Sequence, residues 1–503
     1  MRLPPASGSY EVPAQYQQDV MARAFWRVSF RCARGYLSAK DTSGQAILIP
    51  HEREESDSYA RRLRFTRARN FVGPTLRRYN AIVFRKAPVR DAKAGVYTDF
   101  AAKATASGGP LDAFMSEALL AAMVDRESYI LPEVQGGTPA APTVAAVRAA
   151  GTRPVVCLIN ADAVLDVEEE QGGQALAKAL VRMTRTDGAP VLRLYEKLTY
   201  TDYLLDEASA KSTAGVTLVI TGQDPPKPHG YLQCPLVRLR PQLDPFGYLP
   251  DGGSGDSVAG PLAESQMAVN NLLSLLNEEI CNVTFSQMIV MGVSADQFKD
   301  QKVGTTRLLC CPNPGGSVET LGADPAQAQS IRDSIVDEVA NLLRVAGLGS
   351  AETITAPQSG LALAFRYNDL ATIVSALAVA CEDAEETLAR VLAGGWKFEA
   401  PPRPQYQGKD PELPDYPGET QTLLAVLTAS GIPAVLREKA AERFASRNLP
   451  LSEADMARLR KELAAGDAVR KQAASAFGAF APRPGTAPAS EAEAAEAEAD
   501  EEK

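Results

Sequence analysis

Between residues 324 and 394 the chain carries two helical periods separated by one polar stretch. Ile331, Ile335, Val339, Leu342 and Ala346 recur every three or four residues. Asp333, Asp337, Asn341 and Arg344 fall opposite them, which predicts an amphipathic helix. Asp324 and Pro325 mark its start, because aspartate accepts from the first free amides and a proline there gives up an N–H that would be unpaired. Gly347 and Gly349 suit its end. Residues 350–359 are polar and predict a loop. After Gly360 a second apolar period (Leu361, Phe365, Ile373, Leu377, Leu388, Leu392) runs without a breaker to Gly394 and Gly395. At about 1.5 Å per residue that helix would be roughly 50 Å long. A loop held between two such helices suits a surface that lines something.

Upstream, residues 15–36 predict a helix, and Tyr59 to Phe84 predict two helices broken at Gly73 and Pro74, with Ile47 to Pro50 as an extended link. Gly109 and Pro110 open another helix, with Leu111, Phe114, Ala118, Leu119 and Ala122 on one face. From Ser128 the period shortens. SYILPEV, PVVCLIN, LVRMTRT, VLRLYEKL, GVTLVIT and LVRLR are β-rich runs between turn residues, and Asp187–Gly188 supplies the positive φ of a tight hairpin. These features predict an α+β unit ending near Pro250.

Asp251 to Pro261 (DGGSGDSVAGP) predicts a flexible breaker. Leu262, Val269, Leu272, Leu273, Leu276 and Ile280 then mark a further amphipathic helix. Between it and the helix at Asp324 lies a compact insert, Gly292 to Gly322, with extended pieces RLLCC and SVETL. Beyond Gly395 a proline-rich segment leads to helical pieces at Glu419 to Ser430, Ile432 to Ser446 and Leu451 to Leu463, where Ser452 and Asp455 resemble a capping box. After Ala479 the Pro/Ala/Glu-rich chain is expected to be disordered.

Composition adds little to this picture, but charge adds more. The 503 residues are 45% apolar and 23% charged, ordinary for several globular units. The net charge of -10 is concentrated at the end, since Glu491 to Lys503 hold seven acids and one lysine. Ala60 to Arg90 hold ten basic residues and no acid. Those cations either pair with acids on neighbouring elements or subunits, or contact nucleic acid or an acidic partner. The seven cysteines show no CxxC spacing, so a reducing compartment is expected. The opening MRLPPASGSYEVPA has no apolar core, so no secretory leader is expected. Leu370 to Cys381 falls short of the roughly 20 residues a membrane span needs.

Little of the chain points to chemistry. With only His51 and His229, paired-histidine zinc sites and histidine-dependent hydrolases lack material. There is no HExxH and no GxxxxGK[ST]. Gly255-Asp256-Ser257-Val258-Ala259 approaches GxSxG but ends in alanine and follows no strand. Glycines 252, 253 and 255 miss the dinucleotide spacing. Cys310 and Cys311, adjacent in an extended run, should point to opposite faces. No catalytic residue, metal site or cofactor is expected.

The order of elements resembles the portal proteins of tailed bacteriophages, the head-to-tail connector rings. YARRLRFTRARNFVGPTLRRYNAIVFRKAP followed by GGPLDAFMSEALLAAMVDRESYILPEV resembles the start of that family's wing. Leu262 to Val283 resembles its first stem helix, and ETLGADPAQAQSIRDSIVDEVANLLRVAGLG its second. The resemblance implies an α+β, portal-like, ring-forming fold: an N-terminal arm (1–20), a wing-like α+β domain (21–255), a first stem helix (256–291), a small β-containing clip-like insert (292–322), a second stem helix (323–346), a channel loop (347–359), a long helix (360–398), a helical crown-like region (399–480) and an acidic tail (481–503).

It further implies a homo-oligomeric ring of about twelve subunits at one capsid vertex of the virion, assembled in the host bacterial cytoplasm. Double-stranded DNA passes through it at packaging and ejection. Terminase docks first and head-completion or tail adaptor proteins later, and the major capsid protein and scaffold are neighbours. Asp333, Asp337, Asn341, Glu352, Thr353, Thr355 and Gln358 would line the channel. Lys299, Lys302 and Arg307 would meet adaptors. Arg61, Arg62, Arg64, Arg67, Arg69, Arg77 and Arg78 would contact DNA or capsid. A wall bearing Asp333 and Asp337 would repel phosphate and let DNA slide. Other readings are a scaffold or baseplate component, or a hydrolase using Ser257. Deleting residues 485–503, which carry no packing pattern, is expected to leave assembly intact, and loss of assemblies in size-exclusion chromatography would refute this.

Overall fold

The helix predicted after Gly109 carries apolar residues on nearly every side, and such a helix can be stable only when surrounded. In the structure, a computed structural model, it is surrounded. The structure describes residues 1–52, 54–90, 95–136, 151–170, 175–185, 187–206, 209, 217–241, 257–284, 287–291, 307–311, 318–321, 325–348, 360–396, 401–406, 439–441, 458 and 461. The chain divides into Met1–Glu412 and Leu413–Lys503, and the helical pieces and tail expected beyond residue 418 lie almost wholly outside the described residues.

The first unit opens with β1 (Gly8–Glu11), α1 (Ala14–Arg31), α2 (Ser56–Phe65), α3 (Val72–Val83), α4 (Val96–Ala102) and α5 (Leu111–Asp125). Met115, Ala118, Leu119, Ala122 and Met123 of α5 are wholly buried, in one cluster with Phe25 of α1, Leu76 and Tyr79 of α3 and Phe100 of α4. The break between α2 and α3 lies at Thr66 to Phe71, before the expected Gly73–Pro74. Those two residues sit in the first turn of α3, where a proline costs no helical hydrogen bond. Gly73 is needed for packing, since a Cβ there would come within 2.6 Å of the Phe30 carbonyl oxygen.

The β-rich runs form two antiparallel sheets. β2 (Ser128–Gln135) pairs with β3 (Arg153–Ile159) and β10 (Val237–Leu239). The larger sheet comprises β4 (Val164–Glu169), β5 (Leu176–Thr184), β6 (Pro190–Tyr195), β7 (Thr199–Leu205), β8 (Thr217–Gln223) and β9 (Lys227–Pro228), in the order β1-β8-β7-β6-β5-β4 with β9 on β7. Gly188 has φ +83° in the β5–β6 hairpin, as its position beside Asp187 predicts. Residues 1–20, expected as an arm, instead supply an edge strand and the start of α1. Tyr10 and Val12 are buried against Leu218 and Ile220, so the segment packs by the period-two rule of a half-buried strand.

Past the sheets, α6 (Gly260–Thr284) and α7 (Pro325–Val345) flank three short strands, β11 (Gln287–Met291), β12 (Arg307–Cys311) and β13 (Val318–Leu321). β11 pairs parallel to β12 and antiparallel to β13. The first stem helix therefore ends before residue 291, and its expected last turn is strand. Leu262 and Ala263 at the start of α6 share the main core with Leu342 and Ala346 at the end of α7. The two helices thus run antiparallel, rooted at that end and joined through the small sheet at the other. Gly347 at φ +62° closes α7, with the Leu348 N–H donating to the Leu343 carbonyl at 2.8 Å.

The last long element, α8 (Gly360–Trp396), buries Val374, Leu377, Ala378, Cys381 and Leu388. Gly394 and Gly395 do not stop it. They lie in its last turn because a Cβ on Gly395 would meet the Tyr231 ring at 2.7 Å. Glu385, fully buried, accepts from Tyr97 Oη at 2.8 Å, Tyr406 Oη at 2.7 Å and Arg90 Nη2 at 3.0 Å. No helix among the described residues is long and apolar enough to cross a membrane.

Leu342 is wholly buried where α7 joins the core. Leu342→Asp is expected to cost at least about 3 kcal/mol, because the carboxylate would be desolvated without a partner. Chemical denaturation checks this, and an unchanged midpoint would contradict it.

Candidate functional site

The α6–α7 pair is positioned by a ladder of polar side chains, two amides and a hydroxyl, that apolar periodicity does not reveal. On α6, Gln266, Asn270 and Ser274 are spaced four apart, so they share one face, and all three are fully buried. Gln266 Oε1 accepts from the backbone N–H of Phe71 at 2.7 Å and of Val72 at 3.1 Å, and its Nε2 donates to Ser29 O at 3.0 Å. Asn270 Oδ1 accepts from Arg69 N at 2.7 Å, and Ser274 Oγ lies 3.1 Å from Thr66 Oγ1. Beside this row, Asn271 bonds Ile49 N and Ile47 O. The connection between α2 and α3 and the link at Ile47 to Ile49 are thereby fixed on the root of α6.

Away from the root the pair is largely uncovered. Asp333, Asp337 and Asn341 of α7 are exposed, on the side opposite Leu342 as the period predicts. Gln329 Nε2 donates to Asp333 Oδ1 at 2.8 Å. Apolar side chains are exposed too: Val336 is 63% accessible and Val345 47% on α7, and Leu275 36% and Ile280 39% on α6. Glu352, Thr353, Thr355 and Gln358 lie outside the described residues, as do Lys299 and Lys302. Arg307 opens β12, which is described by its backbone alone.

The arginines after residue 60 divide into two groups. Arg62, expected to contact DNA or capsid, is instead 7% exposed and belongs to the interior. On α2 it faces α6, where Nε and Nη2 donate to Glu54 at 2.9 and 2.6 Å and Nη1 to Ser274 at 3.2 Å. Arg90 is likewise paired, with Glu385 and with Asp112 at 2.6 Å. Arg61, Arg64, Arg67, Arg69, Arg77 and Arg78 are exposed, and none has an ion-pair partner among the described residues. Arg77 stacks over the Phe30 ring at 4.8 Å.

Ser257 is 3% exposed, and its Oγ accepts from Ala259 N at 3.0 Å, so it shapes the entry to α6. The histidines are engaged elsewhere. His229 takes a hydrogen bond from Tyr231 N at Nδ1 and donates through Nε2 to Glu196 O at 2.9 Å, and burial holds its pKa below the ordinary value. His51 lies 3.3 Å from Glu278. Cys310 and Cys311 are consecutive in β12, opposite Val290 and Met291 of β11. No metal-binding group of His, Cys, Asp and Glu occurs among the described residues.

Sequence reasoning missed a second polar cluster at the junction of α1, α5 and the large sheet. Arg27 Nη2 pairs with Asp125 at 2.7 Å, Arg23 with Glu127 at 3.3 Å, and Arg126 with Asp19 at 3.1 Å. The only signal in the sequence is two arginines four apart on the apolar side of α1.

Glu54 is held below the usual carboxylate range, chiefly by its hydrogen bonds to Arg62. Its folded pKa is depressed, so the pair stabilises above the unfolded value near about 4.3 and the contribution fades as pH falls through the folded value. Glu54→Gln is expected to lower stability at neutral pH by about 1–3 kcal/mol, with the gap to the natural chain closing on acidification. A gap constant from pH 7 to about pH 3 would contradict this.

No known family profile matches the chain, and no curated protein matches it. Among solved structures, a chain from the virion of a native gene transfer agent particle aligns over 86% of this chain and 98% of that one, at 14% identity and a TM-score of 0.34.

Proposed function

We propose that the chain is the subunit of a portal ring in a tailed-phage-like virion, set at one capsid vertex, through which double-stranded DNA is packaged and ejected. The observation that carries this reading is the uncovered part of the α6–α7 pair. At about 100° per residue, Val336 and Leu343 fall on one flank of α7 and Val345 on the other, with Leu342 toward α6 and Asp333, Asp337 and Arg344 at the back. A lone chain leaves Val336 63% and Val345 47% exposed. Copies standing side by side would cover both flanks and leave the back of each α7 facing a common bore. Such a head-to-tail contact makes a ring when its rotation closes.

In this reading the bore presents a repeated row of carboxylates at Asp333 and Asp337. It repels phosphates and so avoids the counterion-releasing grip that would stall a moving duplex. The β11–β13 tip would meet terminase and then the head-completion or tail adaptors, and the helical and sheet region would meet capsid protein and scaffold. The subunit works as a conduit and docking platform, and catalyses nothing itself. Replacing Ser257 with Ala should then leave its role unchanged.

Negative-stain images of the full-length protein should show closed rings with a central hole wide enough for a duplex. Monomers or open filaments at high concentration would sink the proposal. Asp333→Lys with Asp337→Lys should leave ring formation intact and cut DNA filling of capsids by at least about tenfold, since each subunit would then add cations that grip phosphate. Normal filling would dismiss the acidic bore.

A further inference from the structure

The exposed arginines are more than an uncommitted solvent face. On α3 the accessible positions are Pro74, Arg77, Arg78 and Ala81, a single helical stripe without an acid, and Arg85 and Lys86 are exposed just past its end. On α2, Arg61 and Arg64 are exposed while Arg62 turns inward to Glu54. Arg67 and Arg69 project from the connection between these helices. Its backbone cannot rearrange to bring them to a partner, because Gln266 and Asn270 hold the N–H groups of Arg69, Phe71 and Val72.

α1 ends against the same region. Asn70 Nδ2 donates to Phe30 O at 3.2 Å, and Arg77 lies over the Phe30 ring, which brings Arg31 and Arg34, both exposed, to the same edge. None of these arginines has an ion pair among the described residues. Soluble surfaces normally intersperse the two signs, because like charges at this density repel. Here the exposed cations, almost all arginine, far outnumber the acids on the same helices, where α2 carries Asp57 one turn before Arg61 and α3 carries none.

We infer that this face, formed by α2, α3 and the end of α1, binds the phosphate backbone of duplex DNA, separately from any passage of DNA along the acidic side of α7. Arginine suits phosphate better than lysine does, because its planar fork donates two parallel hydrogen bonds to one group. Contacts to phosphate position a duplex and carry no sequence information, so the binding is independent of sequence. It carries Phe65, 66% exposed, beside Arg64, an apolar contact available to deoxyribose. The two surfaces are opposite in character: one is a wall past which a duplex slides, the other a surface to which a duplex adheres. Ring formation is not required for this binding, since every residue involved belongs to one chain.

The test titrates full-length protein into a labelled mixed-sequence duplex of about thirty base pairs, at salt concentrations from about 50 to 200 mM. The natural chain should bind, with affinity falling steeply with salt. The triple variant Arg77→Gln, Arg78→Gln, Arg85→Gln should weaken binding at least about tenfold and make the salt slope shallower by up to about three, close to one unit for each phosphate no longer neutralised. Arg61→Gln with Arg64→Gln, on the other helix, should weaken it independently, and decides the matter if the triple variant misfolds. Arg390→Gln with Lys197→Gln, exposed elsewhere, should bind as the natural chain does.

No binding at the lowest salt, or equal binding by both arginine-face variants, overturns the inference. Preferential capture of polyglutamate over DNA also overturns it, in favour of an acidic protein partner. Imaging the same samples separates the two proposals. Variants that form rings but lose DNA support the arginine face, and ring-less protein that still binds DNA supports it while removing the portal reading.

Discussion

The polar ladder on α6 is the constraint on which the rest of the structure depends. A buried polar side chain left without partners costs about 1–3 kcal/mol, so Gln266, Asn270 and Ser274 can be buried only where backbone or side-chain groups meet them. One rotation and one height of α6 satisfy all three at once, and in that placement they bond the N–H groups of Arg69, Phe71 and Val72 and the hydroxyl of Thr66. Apolar packing alone tolerates sliding and rotation by part of a turn. Directional bonds to a fixed backbone do not. The direction in which the α6–α7 pair leaves the body, and therefore which side of α7 is free, follows from three polar side chains.

The same logic sets the other two polar clusters. Glu385 lies fully buried on α8, yet it is met by Arg90, Tyr97 and Tyr406, which brings residues 401–406 back to bridge Val89. Asp125, Glu127 and Asp162 receive Arg23 and Arg27 and fasten α1 to the end of α5 and to the turn between β3 and β4. Removing one member of such a cluster leaves its partner's charge buried and alone, so these joints resist change more than the apolar core beside them.

Much of this architecture was legible in the chain. The periods of α7 and α8, the β-rich runs and the Asp187–Gly188 turn each rest on local patterns, and the structure follows them. Where it departs, a long-range contact outweighs the local signal. Gly394 and Gly395 look like a stop, but Gly395 answers to the Tyr231 ring, and Gly73 looks like a break but answers to the Phe30 carbonyl. Residues 8–11 are too few to announce a strand and become one only because β8 offers a free edge. Among the candidate site residues, the exposed side of α7 could be read from its period. That Arg62 differs from Arg61 and Arg64 could not, because only the position of α6 decides which arginine of α2 is enclosed.

One joint ties the outer helices to the end of α7. Tyr79 Oη donates to the carbonyl oxygen of Ala346 at 2.5 Å, fastening α3 to the final turn of α7. The preceding residue, Arg78, points the other way, into solvent. One side of α3 thus meets solvent through Arg78 while the adjoining side holds the backbone at the point where α7 ends. The end of α7 is thereby anchored to an outer helix as well as to the core that both share.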